Sequence, residues 1–199
     1  MTKLSLVLFD LGNVLVRFTP DQFWKSLGLV DSERRQYEHS VRRLSIRYES
    51  GNCSTEEYFN SLGSVFGNRF DRERLIKAFE SVLTDPIPGM EDLVRRVSAK
   101  IPSALVSNTN EHHYTSSVRT IPSLRFLPKH YVSYELHVMK PAAAFYEYVI
   151  RDSKNAPSAC LFIDDMEENV VGAWAAGMEA IRFQNAGQLE QDLTRLGVL

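Results

Sequence analysis

The sequence predicts an α/β protein: a doubly wound, parallel-sheet core of the Rossmann-like kind, interrupted by an inserted block of α-helices. Three observations lead there. Short apolar runs recur along the chain, and each stops abruptly on polar residues. Between most of them lie windows with helical spacing, and strands alternating with helices imply right-handed crossovers and a parallel sheet. The stretch from about Asp21 to Leu83, in contrast, carries helical periodicity and almost no strand signal. A chain of 199 residues accommodates one α/β domain with an insertion, or two small domains sharing one core.

The first element is the run Leu4-Ser5-Leu6-Val7-Leu8-Phe9, a buried strand that ends on Asp10. An ionised carboxylate costs several kcal/mol to bury without a partner, so Asp10 must meet a cation, hydrogen-bond donors or a substrate. Gly12 lets the backbone turn tightly beside it. Tyr37/Val41/Leu44/Tyr48, Tyr58/Phe59/Leu62/Val65/Phe66 and Leu75/Ile76/Phe79/Val82/Leu83 then mark amphipathic helices. Ser54-Thr55-Glu56-Glu57 reads as a capping box and Asp71 as an N-cap, with Gly51-Asn52 and Gly67-Asn68 as punctuation. Links this short favour antiparallel neighbours. From Pro86 onward the pattern alternates. Met90/Leu93/Val94/Val97 is helical and Ala104-Leu105-Val106 a strand; Tyr131-Val132-Ser133-Tyr134 is the next strand, followed by a helix from near Pro141. Cys160-Leu161-Phe162-Ile163, a helix through Ala173–Ala176, and Ala180-Ile181-Arg182-Phe183 complete the frame.

Composition excludes some functions. A formal net charge of -2 gives no electrostatic footprint for nucleic acid, which calls for a clustered basic face. Cys53 and Cys160, the two cysteines, lack metal-ligand spacing and suit a reducing compartment, so a cytoplasmic location is expected. The N-terminal apolar run is too short for a signal sequence or a membrane span, and no membrane association is expected.

Four strand ends carry the candidate chemistry, and in open α/β sheets ligands bind at the carboxyl ends of strands. Asp10 is the first, although alone it could be a strand-terminating Asx-turn. The second is Ser107-Asn108-Thr109-Asn110, whose hydroxyl and backbone N–H groups could hold phosphate oxygens, or simply cap a helix. Lys140, just before a Pro-initiated helix, could reach an anionic site, although a single surface lysine is usually only solvated. The fourth end is Asp164-Asp165 with Asn169 downstream. Adjacent carboxylates repel unless a cation compensates, so a metal is the economical explanation.

Taken together, FDLGNV, LVSNTN, MKP and FIDDMEENVVGA, in this order and spacing, resemble the four motifs of the haloacid dehalogenase superfamily of hydrolases. The resemblance implies a core made of residues 1–16 and 86–199 and a helical cap at 17–85, where YESGNCSTEEYFNSL resembles a recurring stretch of that cap. It further implies a Mg²⁺-dependent phosphatase acting on a small phosphorylated metabolite, with sugar phosphatases, including a glucose-1-phosphate phosphatase type, as the most similar group. Carried over, Asp10 would be the nucleophile that forms an aspartyl-phosphate. Asp10, the Gly12 carbonyl and Asp165 would hold the metal, with Asp164 and Asn169 orienting ligands and waters behind them. Ser107, Asn108 and Lys140 would bind phosphoryl oxygens and offset repulsion between nucleophile and substrate. The cap would close over the site and exclude water.

Departures from the pattern matter. Many phosphatases of the superfamily carry a second Asp two residues after the nucleophile, as general acid and base; Gly12 stands there instead. Without that acid, weakly basic leaving groups such as anomeric or aryl oxygens are favoured. His137 and Ala142 are lesser departures around Lys140. Two alternatives remain: a protein of this fold that binds or regulates without turnover, motivated by Gly12, and a 2-haloacid dehalogenase, against which the Asp164-Asp165 pair counts. Smaller features read blandly. His112-His113 is expected at the surface, Arg43 and Arg47 on a solvated helix face, and Phe23 and Trp24 in a core.

Overall fold

A computed structural model describes residues 3–199. In chain order the elements are β1 (Leu6–Phe9), β2 (Val16–Phe18), α1 (Asp21–Leu27), α2 (Asp31–Glu49), α3 (Thr55–Val65), α4 (Arg72–Glu80), β3 (Leu83–Pro86), α5 (Met90–Ser98), β4 (Ser103–Ser107) and α6 (Glu111–Thr120). They continue with β5 (Lys129–Val132), α7 (Ser133–Leu136), α8 (Ala143–Ser153), β6 (Cys160–Asp164), α9 (Glu167–Ala175), β7 (Glu179–Arg182) and α10 (Ala186–Arg195). Five strands form a parallel sheet in the order β5-β4-β1-β6-β7, with Leu8 beside both Ala104 and Phe162.

Alternation along the strands explains why both faces are covered, since successive side chains point to opposite sides. Val7, Phe9, Leu105, Leu161 and Ile163 join one cluster with α5 and α10, whereas Leu6, Leu8, Ala104, Val106 and Phe162 join another with Phe145, Tyr146 and Ala173 of α8 and α9. The chain leaves β1 for β4 and β5, then returns to β6 on the other side of β1. That reversal places a crevice between the ends of β1 and β6.

Helices α1–α4 bury a third cluster of their own. Phe23, Trp24, Tyr58, Phe59, Leu62, Leu75 and Phe79 are its centre, so the two aromatics expected in a core are there. The capping box forms as read: Ser54 Oγ accepts from Glu57 N at 3.2 Å, and Glu57 Oε2 accepts from Ser54 N at 2.8 Å. Asp71 likewise caps α4 through Arg74 N at 2.8 Å. Chain enters and leaves this block through an antiparallel ribbon of β2 and β3, in which Val16 faces Pro86 and Phe18 faces Leu83.

The structure corrects the reading in places. The strand at Tyr131 ends at Val132, because Ser133 turns into α7 and uses its hydroxyl on Glu49 O and Thr109 O. The helix after Pro141 begins at Ala143. The helical window that reaches Leu83 stops at Glu80, and Leu83 opens β3; the β2–β3 ribbon leaves no signal in the sequence because its strands are short and mostly exposed, so neither shows alternation. No helix among the described residues is long and apolar enough to cross a membrane.

Candidate active site

Because β1 and β6 are hydrogen-bonded neighbours, Asp10 and Asp164 leave the sheet side by side, with Asp10 N donating to Ile163 O at 2.9 Å. Lys140 reaches in from the loop before α8. Its Nζ donates to Asp10 Oδ1 at 2.7 Å, to Asp164 Oδ2 at 2.6 Å and to Val106 O at 3.3 Å. All three side chains are buried. Burial by itself lowers a lysine, but the two carboxylates hold the Lys140 ammonium above its ordinary range. For Asp10 burial prevails over Lys140 and pushes the carboxyl up to about 7.

Of the two adjacent acids Lys140 compensates one, Asp164, and the metal expected from their adjacency answers to Asp165. Asp164 is enclosed and further held by Met166 N at 2.9 Å and Asn169 Nδ2 at 3.0 Å. Asp165 lines a cavity of about 220 Å³, where it accepts from Asn13 Nδ2 at 3.1 Å and has no cationic partner among the described residues. Burial raises its carboxyl above the ordinary value.

The cavity gathers most of the residues singled out from sequence: Asp10, Gly12, Ser107, Asn108, Lys140, Asp165 and Asn169 line it, and Asp164 lies behind. The Ser107 hydroxyl has no hydrogen-bond partner among the described residues. The Asn108 carboxamide, in contrast, is engaged on the main chain of Lys140, donating to its O at 2.8 Å and accepting from its N at 2.9 Å. It therefore positions the lysine loop. The tight turn after the nucleophile position is made by Asn13, at φ 54, and not by Gly12. A Cβ at Gly12 would lie an ordinary 3.6 Å from Phe18 Cβ, so nothing in the backbone demands glycine there.

Sequence reasoning misses three polar lining residues, Asn13, Glu49 and His113, and the apolar Leu11, Phe18, Leu83 and Met166. His113 also overturns its expected surface position. It is buried, stacked on Phe79 at a centroid distance of 4.0 Å, with Nε2 on Phe79 O at 2.9 Å and Nδ1 on Asn110 Nδ2 at 3.2 Å. Adjacency to His112 concealed this, because on a helix neighbouring residues face different surroundings: His112 is the more open one and meets Glu80 at 2.8 Å.

The site is thus a carboxylate at the end of the central strand of a parallel sheet, with a buried lysine and two more acids at the neighbouring strand end. The chain belongs to the haloacid dehalogenase-like hydrolase family, matching it over residues 4–177. Among curated relatives, it is 27% identical over 199 residues to a D-ribitol-5-phosphate phosphatase of Bacteroides thetaiotaomicron, covering 94% of this chain and 96% of that protein. It is 26% identical to flavin mononucleotide hydrolase 1 of Arabidopsis thaliana, covering 98% of this chain and 79% of that protein. A HAD family enzyme of Bacteroides thetaiotaomicron, solved in complex with magnesium and inorganic phosphate, shares the fold with a TM-score of 0.79 at 22% identity, over 92% of this chain and 95% of that one.

Proposed function

We propose that this protein is a Mg²⁺-dependent phosphatase that hydrolyses small phosphate monoesters through an aspartyl-phosphate on Asp10. The observation that carries the reading is the Asp10 carboxylate, tied to Lys140 through Oδ1 and bordering the cavity together with Ser107 and Asp165. Names of relatives that act on D-ribitol 5-phosphate and flavin mononucleotide support a phosphorylated metabolite as substrate.

The donor set fits a small hard cation. Carboxylate oxygens of Asp10, Asp164 and Asp165 come within 4.8 Å of one another, and oxygen donors are what Mg²⁺ selects. Against three acids stands one lysine, which leaves Asp165 uncompensated. In this reading Asp10, the Gly12 carbonyl and Asp165 hold the ion, while Asp164 and Asn169 fix Lys140 and the strand-end loop. When bound, Mg²⁺ supplies positive charge beside the phosphoryl oxygens. Ser107 and Lys140 add a hydroxyl and an ammonium on the protein's side, and the main chain around Asn108 completes the cradle. Residues 17–85 act as the cap over a core of 1–16 and 86–199, and two free cysteines, Cys53 and Cys160, suit a cytoplasmic setting.

The test is phosphate release from a panel of monoesters with and without Mg²⁺, for the wild type and Asp10→Asn. The variant should lose on the order of 10³ or more in kcat, the scale seen when a covalent nucleophile is removed. Retention of about a tenth of the turnover would mean that Asp10 is not the nucleophile.

A further inference from the structure

Breaking the ester bond of an alkyl phosphate leaves an alkoxide that needs a proton, and Gly12 offers none. Five titratable side chains line the cavity: Asp10, Glu49, His113, Lys140 and Asp165. In the phosphatase reading Asp10 attacks, Lys140 is bound to Asp10 and Asp164, and Asp165 faces the cation. His113 is committed. Its Nε2 proton is on Phe79 O and its Nδ1 accepts from Asn110, while burial pulls the imidazole down to about 4, so it stays neutral.

Glu49 is the remaining acid. It is the last residue of α2, it lines the cavity, and its carboxyl makes no hydrogen bond or ion pair with any described residue. Its main chain is nevertheless fixed. Glu49 O accepts from Ser133 Oγ at 2.6 Å, the next carbonyl, Ser50 O, accepts from His137 Nδ1 at 3.2 Å, and Gly51 lies so close to α7 that a Cβ there would come within 2.0 Å of Tyr134 O. The backbone that carries it is thus fixed, and the carboxyl itself lines the cavity with no protein partner among the described residues. Besides the groups of the cavity, the ionisable neighbour is Tyr58 of α3, whose hydroxyl meets Ser45 Oγ at 3.3 Å and makes no bond to Glu49. Burial pushes the Glu49 carboxyl up from 4.5 to about 7, and a carboxylate at a helix C-terminus is disfavoured further.

We propose that Glu49 is the general acid and base of this active site, in place of the carboxylate missing at Gly12. The inference rests on the phosphatase reading. As an Asp10 oxygen bonds to phosphorus and the ester P–O bond breaks, its electron pair passes to the alcohol oxygen, which takes the proton of Glu49. In the second step water bonds to phosphorus and the P–O bond to Asp10 breaks, returning the Asp10 carboxylate; the ionised Glu49 takes the water proton and is restored. Primary alkyl phosphates thereby become good substrates, and the bias towards aryl and anomeric esters that Gly12 alone suggests is lifted.

The experiment compares kcat/KM for a primary alkyl ester, D-ribitol 5-phosphate, with that for p-nitrophenyl phosphate, whose leaving group needs no proton, in the presence of Mg²⁺. Glu49→Gln should lower the alkyl-to-aryl ratio by about 10²-fold or more, and Gly12→Asp added to that variant should restore it, since a Cβ fits at residue 12. In the wild type the ratio should fall about tenfold per pH unit above 7, where both esters are dianions, and in Glu49→Gln it should be flat. An unchanged ratio in Glu49→Gln overturns the proposal. Should that variant not fold by circular dichroism, a wild-type ratio that is constant with pH overturns it equally. If the wild type hydrolyses neither ester, the phosphatase reading itself fails; if it hydrolyses both through Asp10 with no effect at Glu49, that reading stands and only the role of Glu49 is lost.

Discussion

Glu49 is worth following beyond catalysis, because an acid held without partners burdens the fold. An unfolded chain ionises it near 4.5 and the native protein only near 7. A raised acid contributes its full stability below the lower value; that contribution is lost progressively between the two and stays lost above the higher one. Glu49→Gln has no such loss. The variant should therefore gain up to about 3 kcal/mol relative to the wild type between pH 4 and pH 8, a difference that urea melts at the two pH values measure directly. Melts whose separation does not change with pH would place the Glu49 carboxyl in water. A site that weakens the fold in this way follows the usual trade between stability and activity.

At the scale of elements, the turn after α2 decides how closely the helical block sits on the sheet. Gly51 has φ 69 and faces Tyr134 O, so Gly51→Ala adds both left-handed strain and a clash with a backbone oxygen. We expect a cost of at least about 1–2 kcal/mol, visible in thermal melts, together with lower kcat/KM, because the block must lift where Glu49 is carried. A variant with unchanged melting and activity would show that α2 and α7 are not held together there. Much at this scale was legible from residues: apolar runs ending on Asp10, Ser107 and Asp164 mark strand ends, and Ser54 with Glu57 marks a helix start. Glu49, His113 and β2–β3 were not. A glutamate at the end of an amphipathic window looks like any solvated residue until another element covers it, and His113 is buried by Phe79 from a helix more than thirty residues away in sequence. Tyr131 and Val132 give Ser133 a local preference for strand, which its tertiary bonds to Glu49 O and Thr109 O outweigh.

The molecule as a whole has two interiors, that of the sheet, with an apolar cluster on each face, and that of the helical block, and the ribbon connects them. Leu62 is fully buried in the helical one, so Leu62→Ala should cost about 2–5 kcal/mol. The loss should be local: hydrogen exchange in α1–α4 should accelerate while amides of β1, β4 and β6 remain protected. Uniform acceleration throughout the protein would mean that the two interiors unfold as one.

The ribbon that joins them is also part of the cavity. Phe18 of β2 and Leu83 of β3 face each other across the ribbon and both line the space in front of Asp10. The joint and the wall are one piece of structure, so a ligand leaning on Phe18 and Leu83 acts on the lever that sets the helical block. By reciprocity, any force that tilts the block alters the fit of the ligand to the same degree. A substrate that fills the cavity therefore meets the connection between helical block and sheet as well as the chemical groups of the site.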